Sequence, residues 1–192
     1  MEIRDAQQEV RSVFLGGSIG QAVSGLLWLI SAGLATWAGV NNGIIALVVG
    51  GIFIFPLTQL ALKLLGRQAA LQRKNPLNQL AMQIAFIVPL SLPVIAAAAL
   101  YNLNWFYPAF MIVVGTHYLP FTFLYGMWQY SVLAAVLIAG GVAFGIAMPD
   151  NFTTGGWFTA AVLLLFALAA WRLAASDQKS RATQHRERGI PS

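Results

Sequence analysis

One histidine stands out among the side chains that could do chemistry, because it lies in a long stretch without charged residues. His117 is the only His, Asp, Glu, Lys or Arg between Asn75 and Pro149. Helical spacing puts Phe121 and Tyr125 on the same face as His117, whereas Tyr118 points about 100° away and is the weaker candidate. An imidazole beside aromatic rings could orient an apolar or cationic ligand. It could equally be a neutral histidine that is hydrogen-bonded to a neighbouring helix.

Two glutamines at a similar depth are the candidate partners of His117. Gln21 lies in the first apolar stretch and Gln83 in the third. A side-chain amide in hydrocarbon must find a hydrogen bond, so we expect both to face inward. The sequence thus predicts a mid-membrane ligand pocket lined by His117, Gln21, Gln83, Phe121 and Tyr125.

Several kinds of reactive site are missing from the apolar stretches. They hold no Asp or Glu, and the chain has no cysteine. These stretches lack the residues that four kinds of site require: paired carboxylates, a Ser-His-Asp arrangement, a thiolate nucleophile, and a metal bound by carboxylate or Cys. We therefore predict no catalytic residue, no metal ligand and no cofactor.

A small-residue stripe runs along the first apolar stretch, where Gly16, Gly20 and Ser24 recur at intervals of four. Such a stripe lets two helix backbones approach closely. It could pack against the chain's own helices, or it could dock a partner protein or a second copy.

The elements that must position these residues follow from the composition. The 192 residues are 58% hydrophobic and only 9% charged. A soluble domain has about 25% charged residues, so a soluble enzyme, a nucleic-acid-binding domain and a secreted disulfide scaffold are excluded. The predicted fold class is all-α, a polytopic membrane protein built as a bundle of six spans. One transmembrane domain covers 1–175, and a polar basic tail that we expect to be disordered covers 176–192. The predicted spans are about 13–38, 43–65, 79–100, 107–125, 129–148 and 156–175.

Charge placement predicts the orientation of the bundle. The only basic loop carries Lys63, Arg67, Arg73 and Lys74, and the tail is also basic. The positive-inside rule then puts that loop and both termini in the cytoplasm. Arg67, Arg73 and Lys74 are in addition candidate contacts for anionic lipid headgroups, unless they serve only to set the orientation.

Prolines interrupt three of the spans, at Pro56, Pro89, Pro93 and Pro120. A proline removes a backbone donor, and the freed carbonyls often line cavities. The alternative is a static kink.

Two segments carry a family resemblance. The glycine-rich run Gly16-Gly17-Ser18-Ile19-Gly20, with the later His117-Tyr118-Leu119-Pro120-Phe121, resembles an uncharacterised bacterial family of six-helix membrane proteins, a domain of unknown function. That resemblance covers about the first five spans. It implies a multi-pass protein of the bacterial inner (plasma) membrane and no particular activity. In layout alone, the chain is also similar to the S-components of energy-coupling-factor vitamin transporters. Gly16, Gly20 and Ser24 would match the stripe by which those proteins dock a partner.

These observations favour a binding or transport module for a small, largely apolar solute or a lipid. Its surroundings are the lipid bilayer, and no nucleic-acid partner is expected. The alternative is a non-catalytic interaction subunit that docks a membrane protein or a second copy through the small-residue stripe. An enzyme that uses His117 as acid or base is the third and least favoured class.

Overall fold

Helices make up every regular element in the described part of the chain, as the fold class predicted. The computed structural model describes residues 1–67, 70–148 and 150–187. The helices are α1 (Ile3–Val13), α2 (Ser18–Trp37), α3 (Val40–Leu64), α4 (Asn78–Tyr101), α5 (Phe106–Tyr125), α6 (Gln129–Ala147) and α7 (Thr154–Glu187). Short 3-10 turns at Leu15–Gly17 and Leu103–Trp105 lead into α2 and α5.

Six of these helices, α2 to α7, are long and apolar enough to cross a membrane. Their bounds agree with the predicted spans to within a few residues at most ends. The chain is therefore a multi-pass membrane protein with the six-helix bundle that its sequence predicts.

Two closely packed helix pairs form the centre of the bundle, α2 with α7 and α5 with α6. Glycines make the close approach possible. A Cβ on Gly25 would lie 2.9 Å from Leu164 of α7, and one on Gly141 would lie 2.7 Å from the Pro108 carbonyl of α5. Because a glycine has no Cβ, the side chains or backbone of the neighbouring helix pack directly against the glycine backbone in each pair.

The remaining two spans flank these pairs and face mostly outward. α3 packs chiefly on α2, and α4 packs on α5 and on the turn before it. Only Ile84 and Ile95 of α4 are buried. Pro89 and Pro93 of α4 and Pro56 of α3 are exposed on the outer surface, inside helices that run on through them. These three prolines therefore do not line a cavity, because they point away from the bundle.

The N-terminal segment forms a helix that the span prediction does not include. In α1, Ala6 and Val10 are buried, whereas Arg4 and Asp5 are exposed. The Gln7 side-chain amide donates to the Phe123 carbonyl at the end of α5 (2.6 Å). α1 is thus an amphipathic helix that packs across one end of the bundle.

A second set of contacts ties α1 to the segment between α3 and α4. The Gln72 N–H donates to Glu9 Oε1 (2.6 Å), and Asn75 Nδ2 donates to Glu9 Oε2 (3.1 Å). Arg67 Nη1 donates to the Ser12 carbonyl (2.9 Å). We call this end, which carries the basic loop, α1 and the α5–α6 turn, the basic end. The opposite end is the far end.

The last helix runs beyond the predicted end of its span. α7 continues as a helix to Glu187, beyond the predicted end at 175. Residues 176–187 include Ala, Gln, Lys, Arg and Glu, which are good helix formers. Extending a helix that already exists needs no new nucleation, so this polar sequence stays helical after the apolar span ends. Residues 188–192 of the predicted tail lie outside the described residues.

Candidate functional site

Aromatic side chains fill the space between α2 and α5, whose backbones make few close approaches. They form two groups along the bundle. We call one the far-end cluster, and it comprises Trp28, Phe106, Tyr107, Phe110 and Phe152. The other is the basic-end cluster, comprising His117, Tyr118, Phe121, Tyr125, Tyr130 and Phe166.

The far-end cluster combines ring contacts with a closed hydrogen-bond network. The Trp28 ring centre lies 5.4 Å from that of Phe110 and 5.7 Å from that of Tyr107. Ser31 Oγ donates to the Gly43 carbonyl (2.8 Å) and lies 2.6 Å from Tyr107 Oη. A serine has a single hydroxyl proton, so Tyr107 must be the donor to Ser31. Both hydroxyls in this cluster thus have partners.

The basic-end cluster is built around Tyr130, which is fully buried. Its ring lies 5.2 Å from Phe121 and stacks on Tyr125 at 5.2 Å. The imidazole of His117 extends this cluster, with its ring centre 5.0 Å from Phe121 and 5.4 Å from Tyr118. Helical spacing alone therefore predicts correctly that His117, Phe121 and Tyr125 are neighbours on α5.

A left-handed turn before α2 holds Tyr130 in place. Gly16 and Gly17 have φ values of +62° and +80°, which glycine adopts at little cost. The Tyr130 hydroxyl donates to the Gly16 carbonyl (2.7 Å), and a Cβ on Gly17 would overlap that hydroxyl. The glycine-rich start of the first span thus wraps around the centre of the cluster.

Three buried polar atoms in and beside this cluster have no hydrogen-bond partner within the described residues. They are Ser18 Oγ, Gln21 Oε1 and His117 Nδ1. The Gln21 side chain lies near the Tyr118 and Tyr130 hydroxyls, and Ser24 lies near Tyr118. Gln21 Oε1 can only accept a hydrogen bond, whereas a serine hydroxyl can donate or accept. An O–H or N–H group brought to this position would therefore find an acceptor ready.

The predicted pocket residues divide into two groups in the structure. Gln21, Phe121 and Tyr125 belong to the basic-end cluster or contact it, and His117 lies at its edge. Gln83 is exposed on α4 and does not face inward as expected. Helical spacing fixes which residues share a face, but it does not say which face a neighbouring helix covers.

Sequence reasoning missed two important members of the cluster and undervalued a third. Tyr130 looks like a residue of the aromatic belt at a membrane surface, and Ser18 looks like a packing residue. Tyr118 points away from His117, yet it is buried beside Gln21 and Ser24. The signal that could have found Tyr130 is the Gly16-Gly17 pair, since adjacent glycines in an otherwise helical stretch indicate space for a bulky neighbour.

The small-residue stripe is covered by the chain's own side chains. Gly16 contacts Met127 and bonds Tyr130, Gly20 faces Thr58 of α3, and Ser24 faces Tyr118. Most of the stripe therefore packs against the chain's own helices, while Gly20 stays partly exposed, and docking of a partner through it stays a prediction.

The candidate headgroup contacts in the basic loop are separate from both clusters. Arg67 is engaged with α1, whereas Arg73 and Lys74 are exposed.

Among the described residues, no group of three His, Cys, Asp or Glu side chains could hold a metal ion.

The chain belongs to a family of unknown function (DUF7010), whose model matches residues 3–173. The match includes α1 and all six spans, so the N-terminal helix is part of the family's domain. The resemblance to an uncharacterised membrane-protein family is thus confirmed. No curated protein and no solved structure matches the chain, so the similarity in layout to S-components stays an expectation.

Proposed function

We propose that this protein is a non-catalytic, membrane-embedded module that binds a small, largely apolar solute or lipid at the basic-end cluster. The observation that carries this proposal is the set of unpartnered atoms, Ser18 Oγ, Gln21 Oε1 and His117 Nδ1, in one buried aromatic region.

Energetics supports a ligand at this position. Leaving a buried polar group unpaired costs about 1–3 kcal/mol. The far-end cluster of the same chain avoids this cost by pairing Ser31 with Tyr107 and Gly43. A binding site accepts such a cost in the empty protein, because the ligand supplies the missing partners.

The residues define the chemistry of that ligand. Phe121, Tyr125 and Tyr130 offer ring faces for an apolar body. Gln21 Oε1 needs a hydroxyl or amine donor, and Ser18 can donate or accept. We therefore expect a mostly apolar molecule with at least one O–H or N–H group, oriented by His117 from the side of α4.

The access route follows from the weak anchoring of α4. His117 is half-buried, and its imidazole lies near the Ile84 backbone carbonyl of α4. Pro89 and Pro93 each remove a backbone donor from α4, and its outer face contacts only lipid or solvent. A shift of α4 away from α5 would open a lateral path from the bilayer to His117. Movement of the solute through this path would make the module a transporter.

Ligand-dependent thermal stability tests the proposal. The purified chain in detergent is heated with a panel of neutral lipids, vitamins and hydrophobic cations, alongside Gln21→Leu and the far-end control Ser31→Ala. Saturating ligand stabilises a folded protein by about 2.7 kcal/mol at a hundredfold excess over Kd. We expect at least one compound to raise the Tm of the wild type and of Ser31→Ala but not of Gln21→Leu. An equal shift in Gln21→Leu, or no shift in the wild type with any compound, would contradict the proposal.

We also propose that the basic end faces the cytoplasm of a bacterium, following the positive-inside rule. The chain contains no cysteine, so single-cysteine variants need no background removal. In intact cells, a membrane-impermeant maleimide should label Asp150→Cys but should reach Arg73→Cys only after permeabilisation. The reverse pattern would invert the proposed orientation.

A further inference from the structure

A cavity of about 200 Å³ lies at the basic end, apart from the proposed solute site. Its lining comes from the end of α1, the left-handed turn, the α5–α6 turn and α7. The residues that matter for its chemistry are Arg11, Gly16, Gly126 and Gln129.

Two polar atoms in the lining of this cavity are buried without a partner in the described part of the chain. Arg11 Nε is a donor, and Gln129 Oε1 is an acceptor. No ion pair joins Arg11 to a carboxylate among the residues that the structure describes. The nearest acidic residue along α1, Glu9, is already bonded to Gln72 and Asn75. Among the side chains that the structure describes, no acidic one lines the cavity, whereas Arg11 brings a positive charge to it.

An apolar groove of about 200 Å³ adjoins this cavity on the membrane side. Both hollows are lined by Met127, Trp128, Gln129 and Leu173. The groove then continues between α6 and α7, which contact each other only sparsely, along the following side chains: Val132, Phe166, Ala169 and Ala170.

A cationic polar cavity joined to an apolar groove matches an amphiphile that has an anionic head. We infer that an anionic phospholipid of the phosphatidylglycerol type binds here, with its phosphate at Arg11 and an acyl chain in the α6–α7 groove. The guanidinium donates to phosphate oxygens, and Gln129 Oε1 accepts from a headgroup hydroxyl. Trp128, which is 68% exposed at the rim, is an amphipathic side chain suited to the headgroup level. The acyl groove shares Phe166 with the basic-end cluster, but the head of this site at Arg11 is separate from the proposed solute site. The site also differs from the predicted headgroup contacts Arg73 and Lys74.

Lipid titration of the full chain tests the head of this site. The Tm of the purified protein in detergent is followed with dioleoyl-phosphatidylglycerol, with dioleoyl-phosphatidylcholine as neutral lipid and with glycerol 3-phosphate as a head without chains. Only phosphatidylglycerol should raise the Tm. Arg11→Gln should weaken its apparent affinity by about tenfold or more, as expected for a buried charge-assisted bond. Arg73→Gln removes the same charge from an exposed position and should weaken it by at most about fivefold.

Two alanines on α7 test the acyl groove in the same titration. Ala169→Phe fills the groove and should abolish the increase in Tm caused by phosphatidylglycerol. Ala161→Phe makes the same change at an exposed position outside the groove and should leave that increase unchanged. If Arg11→Gln and Arg73→Gln weakened the apparent affinity for phosphatidylglycerol equally, binding would depend on surface charge in general, and the inference would be overturned. Equal shifts with phosphatidylcholine, or with glycerol 3-phosphate alone, would overturn it as well. Since none of these variants touches Gln21, failure here is distinguishable from failure of the proposed solute site.

Discussion

The two aromatic clusters differ in how they treat buried polar atoms. In the far-end cluster, Ser31 and Tyr107 form a closed network that ends on the Gly43 carbonyl. In and beside the basic-end cluster, Ser18, Gln21 and His117 each keep a buried atom without a partner in the described residues. Similar rings from the same helix, α5, thus line two environments, one fully paired and one incompletely paired.

This difference is the basis on which we propose a structural role for one cluster and a binding role for the other. A buried network that is fully satisfied stabilises and orders a core, whereas a partly satisfied one costs free energy in the empty protein. Sites that must bind something are often less stable than they could be, because optimal stability and function compete. We therefore assign the far-end cluster to folding and propose the basic-end cluster for binding.

The largest expected effect comes from the glycines that contact the two clusters. Gly17→Ala forces a Cβ into the Tyr130 hydroxyl at φ +80°, so it combines overpacking with backbone strain. It should lower the free energy of unfolding by about 2–5 kcal/mol. Gly156→Ala touches the far-end ring of Tyr107 from a helical backbone and should cost about 1 kcal/mol or less, because alanine favours the helix. Denaturant titration in detergent measures both, and equal costs would mean that the left-handed turn does not hold the basic-end cluster.

Removal of one polar group from each cluster should produce a smaller difference in the free energy of unfolding. This difference directly compares the polar groups of the two clusters. Ser31→Ala leaves the fully buried Tyr107 hydroxyl without its acceptor and should cost about 1–3 kcal/mol. Gln21→Leu removes an amide oxygen that has no partner among the described residues, so stability should stay within about 1 kcal/mol of the wild type or rise. The same denaturant titration checks this. A loss in Gln21→Leu as large as that in Ser31→Ala would show that Gln21 is structural.

The smallest effect should come from the contacts that join α1 to the basic loop. Glu9→Ala removes the acceptor for Gln72 and Asn75 and should cost about 0.5–1.5 kcal/mol, since these bonds are partly exposed. Hydrogen exchange should increase in α1 and at the basic end while the amides around Ser31 and Tyr107 stay protected. Faster exchange at both ends would mean that the two regions are not independent.

Much of the fold could be predicted from the sequence, because charge-free apolar stretches of this length have few alternatives to a spanning helix. α1 was not predicted, although Ala6 and Val10 follow a helical spacing. Its high charge concealed the apolar side that packs against the bundle. The helical continuation of α7 past 175 also lies outside the predicted span, because its composition is polar.

The candidate site was only partly predictable. Neighbours along one helix, such as His117 and Phe121, follow from periodicity alone. Contacts between helices do not, because they depend on how each helix is rotated in the bundle. Gln83 was therefore expected inside and is exposed, and Tyr130 was expected at the surface and is buried.

Native mass spectrometry of the protein extracted from its own membrane in mild detergent tests the binding role of the basic-end cluster most directly. The account predicts an adduct other than an anionic phospholipid on the wild type and on Ser31→Ala that is absent from Gln21→Leu, even though Gln21→Leu is at least as stable. Such an adduct persisting in Gln21→Leu, or a wild type that carries none, would contradict the assignment of this cluster to binding.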